Sequence, residues 1–126
     1  MPLFLVMIGG AIGAALRYLL SKLTFALFGP GFPWGTLAAN LLGGLAMGLL
    51  VGSLARTLPT NSEQLRLLLG VGVLGGFTTF SSFSLETVNM VQRGEIGTAG
   101  VYVMASVVGA FLALIAGLAL VRMVPA

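Results

Sequence analysis

Four long apolar segments, separated by short polar connections, make up almost the whole chain. They run from Leu3 to Phe28, from Pro33 to Leu54, from Leu65 to Val91 and from Gly97 to Val121. Each segment is long enough to cross the hydrocarbon core of a bilayer, which needs about 20 mostly apolar residues. The connections carry Gly, Pro and charged residues, and each is too short to form a domain outside the membrane. The pattern predicts a single all-helical, four-span membrane domain over residues 1–126.

The third apolar segment is interrupted by a polar run. Residues 75–84 read GGFTTFSSFS, which combines a pair of glycines with five hydroxyls and three phenyl rings. Lipid cannot hydrogen-bond a freed peptide group, so such a run is tolerated in a membrane only where it faces protein or a water-filled cavity. We therefore predict that the third helix is broken and that the break lines a functional site.

Composition supports the membrane assignment and argues against most catalytic chemistry. The chain is 58% hydrophobic and 7% charged, with a mean hydropathy of +1.11. It contains no Cys, His or Asp, so no nucleophile–base pair and no familiar transition-metal site can be assembled, and we do not expect an enzyme. The six basic residues are scattered singly, whereas nucleic-acid binding needs a basic patch.

The Lys and Arg residues indicate no preferred orientation. Four spans place both termini and the second connection on one side of the membrane. That side would hold Arg56, Arg66 and Arg122, and the other side Arg17, Lys22 and Arg93, if Arg17 and Lys22 are assigned to the nearer end. Orientation normally follows an excess of these residues on the cytoplasmic side, and here there is no excess. One hypothesis is dual topology with an antiparallel homodimer; the other is a single orientation with two helix-interior residues miscounted.

Small residues recur at intervals that suit close helix packing. They are Gly9 and Gly13 in the first segment and Gly44, Gly48 and Gly52 in the second. Such residues let helix backbones approach in a membrane. The glycines could pack a dimer interface or only the helices of one subunit, and the spacing alone leaves both interpretations open.

Several polar side chains lie within the predicted spans, where each costs free energy unless it finds a partner or water. Thr36 and Asn40 are four residues apart and share a helix face. Tyr102 and Ser106 have the same spacing in the fourth segment. Arg17 could extend its long side chain to the interface or attract anions in an aqueous vestibule.

Phe80 and Phe83 are three residues apart, and Glu86 follows after another three, so they share a face of the third segment. A phenyl ring has a positive edge, which can stabilise a dehydrated anion without providing a cation site. Together with the Asn40 amide and the nearby hydroxyls, the rings predict an anion path with no fixed positive charge at its centre. Such weak binding suits conduction, because an ion must also leave.

Three motifs stand in the order found in the Fluc (CrcB) family of fluoride channels: GGAIGAALRY at residues 9–18, GTLAAN at 35–40 and GGFTTFS at 75–81. The chain resembles this family over essentially all of its 126 residues. The resemblance implies a dual-topology homodimer with two fluoride pores in the inner (plasma) membrane. The pore would be lined centrally by Asn40, Phe80 and Phe83, with Thr79, Glu86, Tyr102 and Ser106 along a polar track, Thr36 flanking it and Arg17 in the aqueous approach.

The resemblance also implies a structural sodium ion at the dimer centre, held by the backbone carbonyls of Gly75 and Thr78 where two helix breaks cross. Unwound carbonyls are hard oxygen ligands that a cation can satisfy away from water. One difference from the family is Ala110, one turn beyond Ser106, where some relatives have serine. We therefore expect a shorter hydroxyl track in this chain.

The expected function is passive, fluoride-selective conduction that exports cytoplasmic fluoride. A negative cell interior drives anions outward by about 2.3 kcal/mol per charge per 100 mV, so no coupled ion is needed. The alternative is a small multidrug-type proton-coupled exporter, which needs a buried carboxylate in its first span. This chain has Arg17 there, and its only acid within a span is Glu86. A non-transporting assembly subunit would leave the polar third span unexplained.

Overall fold

Long helices carry almost all of the chain in the computed structural model, which describes residues 1–125. The elements are α1 (Pro2–Phe28), α2 (Trp34–Thr57), α3 (Ser62–Leu65), a π-helical segment (Arg66–Leu74), α4 (Gly75–Phe77), α5 (Ser81–Gln92) and α6 (Ile96–Met123). Helices α1, α2 and α6, and the composite third span Ser62–Gln92, are each long and apolar enough to cross a membrane. The predicted four apolar helices and the interruption of the third are confirmed. The last residue of the predicted domain, Ala126, lies outside the described residues.

The first half of the third span winds more widely than an α-helix. It is π-helical over nine residues, whereas π-helices usually occupy a single turn. Gly70 and Gly72 are buried within it, and a Cβ added at Gly72 would come within 2.9 Å of the Cα of Gly9 in α1. The apolar pattern of this segment does not separate a π-helix from an α-helix, so the sequence did not predict it.

The helices pack as two close pairs, α1 with the first half of the third span and α2 with α6. Glycines lie where the backbones meet: a Cβ at Gly13 would overlap the carbonyl of Val73, and one at Gly48 would overlap the carbonyl of Leu114. Added Cβ atoms at Gly9, Gly44 and Gly52 would also press on neighbouring helices of the same subunit. The structure therefore supports packing within one subunit, and these glycines supply no argument for a dimer.

The outer surface of the single chain is strongly apolar. Between 11% and 22% of the residues in the most apolar part of each span are buried inside the subunit. Large side chains such as Phe80 and Phe111 are mostly exposed. Such a surface needs lipid or another subunit to cover it, since soluble proteins rarely expose apolar patches of this extent.

The break in the third span falls at Thr78–Phe80, between α4 and α5, and not at the glycine pair. Gly75 and Gly76 are helical. Gly76 is a packing glycine, because a Cβ there would lie 2.6 Å from the Gly10 carbonyl of α1. The chain departs from the helix at Thr78, whose φ of −82° and ψ of 160° are extended. The hydroxyl-rich residues, rather than the glycines, therefore sit at the interruption in the middle of the span.

Candidate functional site

Asn40 of α2 clamps the broken segment by two hydrogen bonds to one residue. Its Oδ1 accepts from the Thr79 backbone N–H at 2.8 Å, and its Nδ2 donates to the Thr79 carbonyl at 3.0 Å. Breaking a helix frees backbone groups that lipid cannot satisfy, and the amide supplies both partners that Thr79 needs. Asn40 thereby fixes the shape of the break, and among residues 1–125 its second amide N–H meets no acceptor.

Arg17 of α1 serves a carbonyl that loses its helical donor because of the break. Its Nε donates to the Gly76 carbonyl at 3.2 Å, in the place where a continuous α-helix would present the Phe80 N–H. The side chain is half-buried. Arg17 is therefore anchored beside the break and does not extend to the end of α1, and its remaining guanidinium donors stay available in the predicted vestibule.

The Gly75 and Thr78 carbonyls are among those that lose their helical donors near the break. The Thr79 N–H that would serve Gly75 is taken by Asn40, and the Ser82 N–H that would serve Thr78 donates to Thr79 Oγ1 at 3.1 Å. Within residues 1–125, neither carbonyl receives a hydrogen bond from another donor. Unpaired carbonyl oxygens are suitable ligands for a hard cation. The residues predicted to hold sodium therefore fit such an ion chemically.

Glu86 of α5 joins three helices through its carboxylate. Thr36 of α2 donates from Oγ1 to Glu86 Oε2 at 3.0 Å, and Tyr102 of α6 donates from its hydroxyl to Oε1 at 3.0 Å. The Tyr102 side chain is fully buried. Charge-assisted hydrogen bonds of this kind are stronger than neutral ones and fix the groups that make them. Thr36, which was predicted only to flank the pore, therefore hydrogen-bonds directly to Glu86.

The two phenyl rings predicted to line the pore, Phe80 and Phe83, differ in exposure. Phe83 is buried, with its ring centroid 5.7 Å from that of Phe80 and 5.1 Å from that of Tyr102. Phe80 is 78% exposed on the surface of the single chain. Phe32, which sequence reasoning missed, meets Tyr102 edge-on at 5.4 Å; an aromatic residue in the short GPGFPW connection was the available signal. The rings thus extend from the subunit surface to its interior.

Ser106 of α6 lies one turn beyond Tyr102 and is buried. Its hydroxyl is the one buried side-chain polar group that finds no hydrogen-bond partner in the described part of the chain. Leaving a buried hydroxyl unpaired costs about 1–3 kcal/mol. The structure therefore holds an unused donor at membrane depth, in the row of residues predicted to bind an anion.

Comparison with known proteins decides the family. Residues 4–118 match the family model described as CrcB-like protein, Camphor Resistance (CrcB). The chain belongs to the CrcB family. It is 58% identical over 124 residues, covering 98% of each chain, to a protein of Sphingopyxis alaskensis named Fluoride-specific ion channel FluC. Proteins with the same name from Novosphingobium aromaticivorans, 56% identical over 119 residues and 93% of each chain, and Agrobacterium fabrum, 52% identical over 118 residues and 94% of each chain, are also similar.

The resemblance found from the three motifs is thereby confirmed, and nothing favours the multidrug-type exporter. With four apolar helices, this CrcB chain is a multi-pass membrane protein. Most of its predicted site residues fall into two groups. Asn40 is bonded to Thr79 at the break, with Arg17 bonded nearby to Gly76. Thr36, Glu86 and Tyr102 are joined by hydrogen bonds, and the Phe83 ring lies between those of Tyr102 and Phe80.

Proposed function

We propose that this chain conducts fluoride passively across the membrane. The buried Ser106 hydroxyl, which has no hydrogen-bond partner in the described residues, carries the proposal, because it is a donor at membrane depth one turn from the hydrogen-bonded Tyr102. The relatives named fluoride-specific channels point to the anion. Fluoride is small and strongly hydrated, so selective conduction requires closely spaced donors to replace its water. Asn40, whose second amide N–H meets no acceptor in the described part of the chain, supplies another donor on the same route.

The proposed route has a centre and two flanks. Asn40, Phe80 and Phe83 form its centre, since the amide donates and the ring edges are positive. Thr79, Tyr102, Ser106 and Glu86 form the polar track, and Thr36 belongs to it through its bond to Glu86. Arg17, anchored on the Gly76 carbonyl, would serve an aqueous approach on the opposite side of the break from Glu86. Ala110, one turn beyond Ser106, carries no hydroxyl, so the proposed track does not extend to that position.

We propose further that the active unit is an antiparallel homodimer with two pores, inserted in both orientations in the inner membrane. The balanced Lys and Arg distribution and the exposed Phe80 beside the buried Phe83 support this assembly. At the dimer centre, a structural sodium ion would be held by the Gly75 and Thr78 carbonyls of both subunits. It would neutralise oxygens that lipid leaves unpaired.

Fluoride efflux from liposomes tests the function directly. Purified protein in vesicles loaded with potassium fluoride is expected to release fluoride rapidly once valinomycin carries the compensating potassium. Vesicles loaded with potassium chloride should release negligible chloride, and protein-free vesicles should release neither. A folded, dimeric protein that released no fluoride would refute the channel, and Glu86 would then be tested as the carboxylate of a proton-coupled carrier.

Single cysteines test the orientation, since the natural chain has none. Thr60 lies between α2 and α3, just before the third span, and Gln92 is the last residue of that span. Thr60→Cys and Gln92→Cys therefore report on opposite sides of the membrane. If insertion is dual, a membrane-impermeant maleimide should label about half of each variant from outside intact cells, because each site then faces both compartments equally. Complete labelling of one variant and none of the other would show a single orientation.

Sodium withdrawal tests the proposed ion. Replacing Na⁺ with N-methyl-D-glucamine is expected to lower the midpoint of thermal unfolding of the purified dimer, because a bound ligand stabilises the state that binds it. Added sodium should restore the midpoint in a concentration-dependent way. An unchanged midpoint at zero sodium would remove the ion from the proposed assembly.

A further inference from the structure

A cavity of about 290 Å³ opens at one end of the helix bundle. The second half of α1, the connection at 29–33, the start of α2 and the end of α5 surround it. Its polar lining includes Ser21, Thr36, Glu86, Asn89 and Arg93. A polar cavity of this volume has room for several waters, each with protein partners. The end of the span at which Glu86 lies is therefore accessible to water.

The cavity is continuous with the proposed polar track. Glu86 and Thr36 line it, and Glu86 is in turn bonded to the buried Tyr102 hydroxyl. Asn89 and Arg93 follow Glu86 by three and seven residues, so they lie on the same face of α5 over two helical turns. A row of polar side chains thus leads from Tyr102 through Glu86 to the end of α5.

The charges in this cavity oppose one another. The Glu86 carboxylate repels an approaching anion, and Arg93 is the only Lys or Arg that lines the cavity in the described part of the chain. Arg93 Nε also pairs with Glu95 Oε2 at 2.8 Å, but both side chains are about half-exposed. Exposed ion pairs of this kind are weak, because water and salt screen them. The guanidinium therefore remains able to attract another anion.

We propose that this cavity is the water-filled mouth of the fluoride path and that Arg93 is its anion-attracting residue, weakened by Glu95. The inference rests on the proposed fluoride conduction and assigns a role to residues outside the pore centre. Arg93 raises the local fluoride concentration against the field of Glu86, and Glu95 offsets part of that attraction. Since both groups are solvated, the effect is an increase in the rate of ion arrival and depends on ionic strength.

Unitary fluoride currents in planar bilayers test this role, because they do not depend on how many dimers insert. With low fluoride on both sides and about 10 mM total salt, Arg93→Gln is expected to reduce the current about 3-fold, as expected for loss of one charge about 7 Å from the ion in water. Glu95→Gln should increase it by up to about 3-fold. At about 1 M of an impermeant salt both differences should largely vanish, because the screening length is then about 3 Å.

The chain provides a matched control at the opposite end of the third span. Arg66 and Glu63 form a similar exposed pair, with Arg66 Nη2 and Glu63 Oε1 2.7 Å apart, and neither lines the cavity. Arg66→Gln and Glu63→Gln make the same charge changes and are expected to leave the current unchanged. Glu63, Arg66 and Arg93 are exposed and Glu95 is partly exposed, so the variants should elute as the wild-type dimer on size exclusion.

The outcomes separate this inference from the channel itself. Equal currents for Arg93→Gln and the wild type at low salt would overturn the role of Arg93 while leaving fluoride conduction established. Equal reductions for Arg93→Gln and Arg66→Gln would also overturn it, since general surface charge would then explain both. A wild-type dimer that conducts no fluoride would refute the proposed function and the inference with it.

Discussion

Replacing Asn40 with aspartate is expected to lower fluoride conduction by about 100-fold or more while the protein still assembles. The two side chains have the same shape, so the introduced carboxylate can still accept from the Thr79 N–H. It has no N–H for the Thr79 carbonyl, and it places a carboxylate oxygen against that carbonyl. A partly buried carbonyl left without its donor and facing a carboxylate can cost about 3 kcal/mol, which corresponds to roughly 100-fold in conduction.

Conduction and assembly must be measured on the same preparations. Fluoride efflux reports the loss, and size exclusion in detergent shows whether the dimer persists. Asn61→Asp makes the same chemical change at an exposed position preceding α3 and should conduct normally. If Asn40→Asp released fluoride at the wild-type rate, both the clamp and the pore assignment of Asn40 would be wrong.

The clamp also shows what the sequence could and could not predict. Asn40 was identifiable because an amide within an apolar helix needs a partner. Its partner was not, because Thr79 is 39 residues away and the spacing within one helix carries no information about another. The sequence does not predict the Thr36–Glu86 bond for the same reason, since its members are 50 positions apart. Helical spacing predicts which side chains share a face and not which helix that face meets.

The fold itself followed from the hydrophobic pattern, because membrane thickness sets the length of each span. The exact position of the break within residues 75–84 could not be predicted, because it depends on tertiary contact. The run begins with a glycine pair, yet Gly76 is helical and packs on the Gly10 backbone. The chain opens two residues later, where Asn40 can replace the missing helical partners of Thr79. Gly76 is therefore where the third span packs closely on α1, and the polar residues that follow it are where the helix is interrupted.

Phe80→Ile and Phe83→Ile are expected to reduce fluoride conduction by about 10-fold or more, because isoleucine fills space without the positive edge of a phenyl ring. Each tenfold loss corresponds to about 1.4 kcal/mol, which is the scale of one aromatic interaction. Their effects on stability should differ. Phe80 is largely exposed in the single chain, whereas Phe83 is buried against Tyr102, so Phe83→Ile alone should lower the unfolding midpoint of the subunit.

Phe111→Ile provides the matched control, since Phe111 on α6 is 68% exposed and lies outside both contact groups of the site. It should conduct fluoride at the wild-type rate, which separates the chemistry of the two rings from general loss of an apolar membrane-facing side chain. Fluoride efflux gives the conduction of all three variants, and thermal unfolding of the same samples gives their stability. Full conduction by both Phe80→Ile and Phe83→Ile, or an equal loss in Phe111→Ile, would exclude ring-edge stabilisation of the anion. If only Phe80→Ile and Phe83→Ile lose conduction, and Phe80→Ile is as stable as the wild type, the Phe80 ring acts in conduction. It then contributes little to the stability of the subunit.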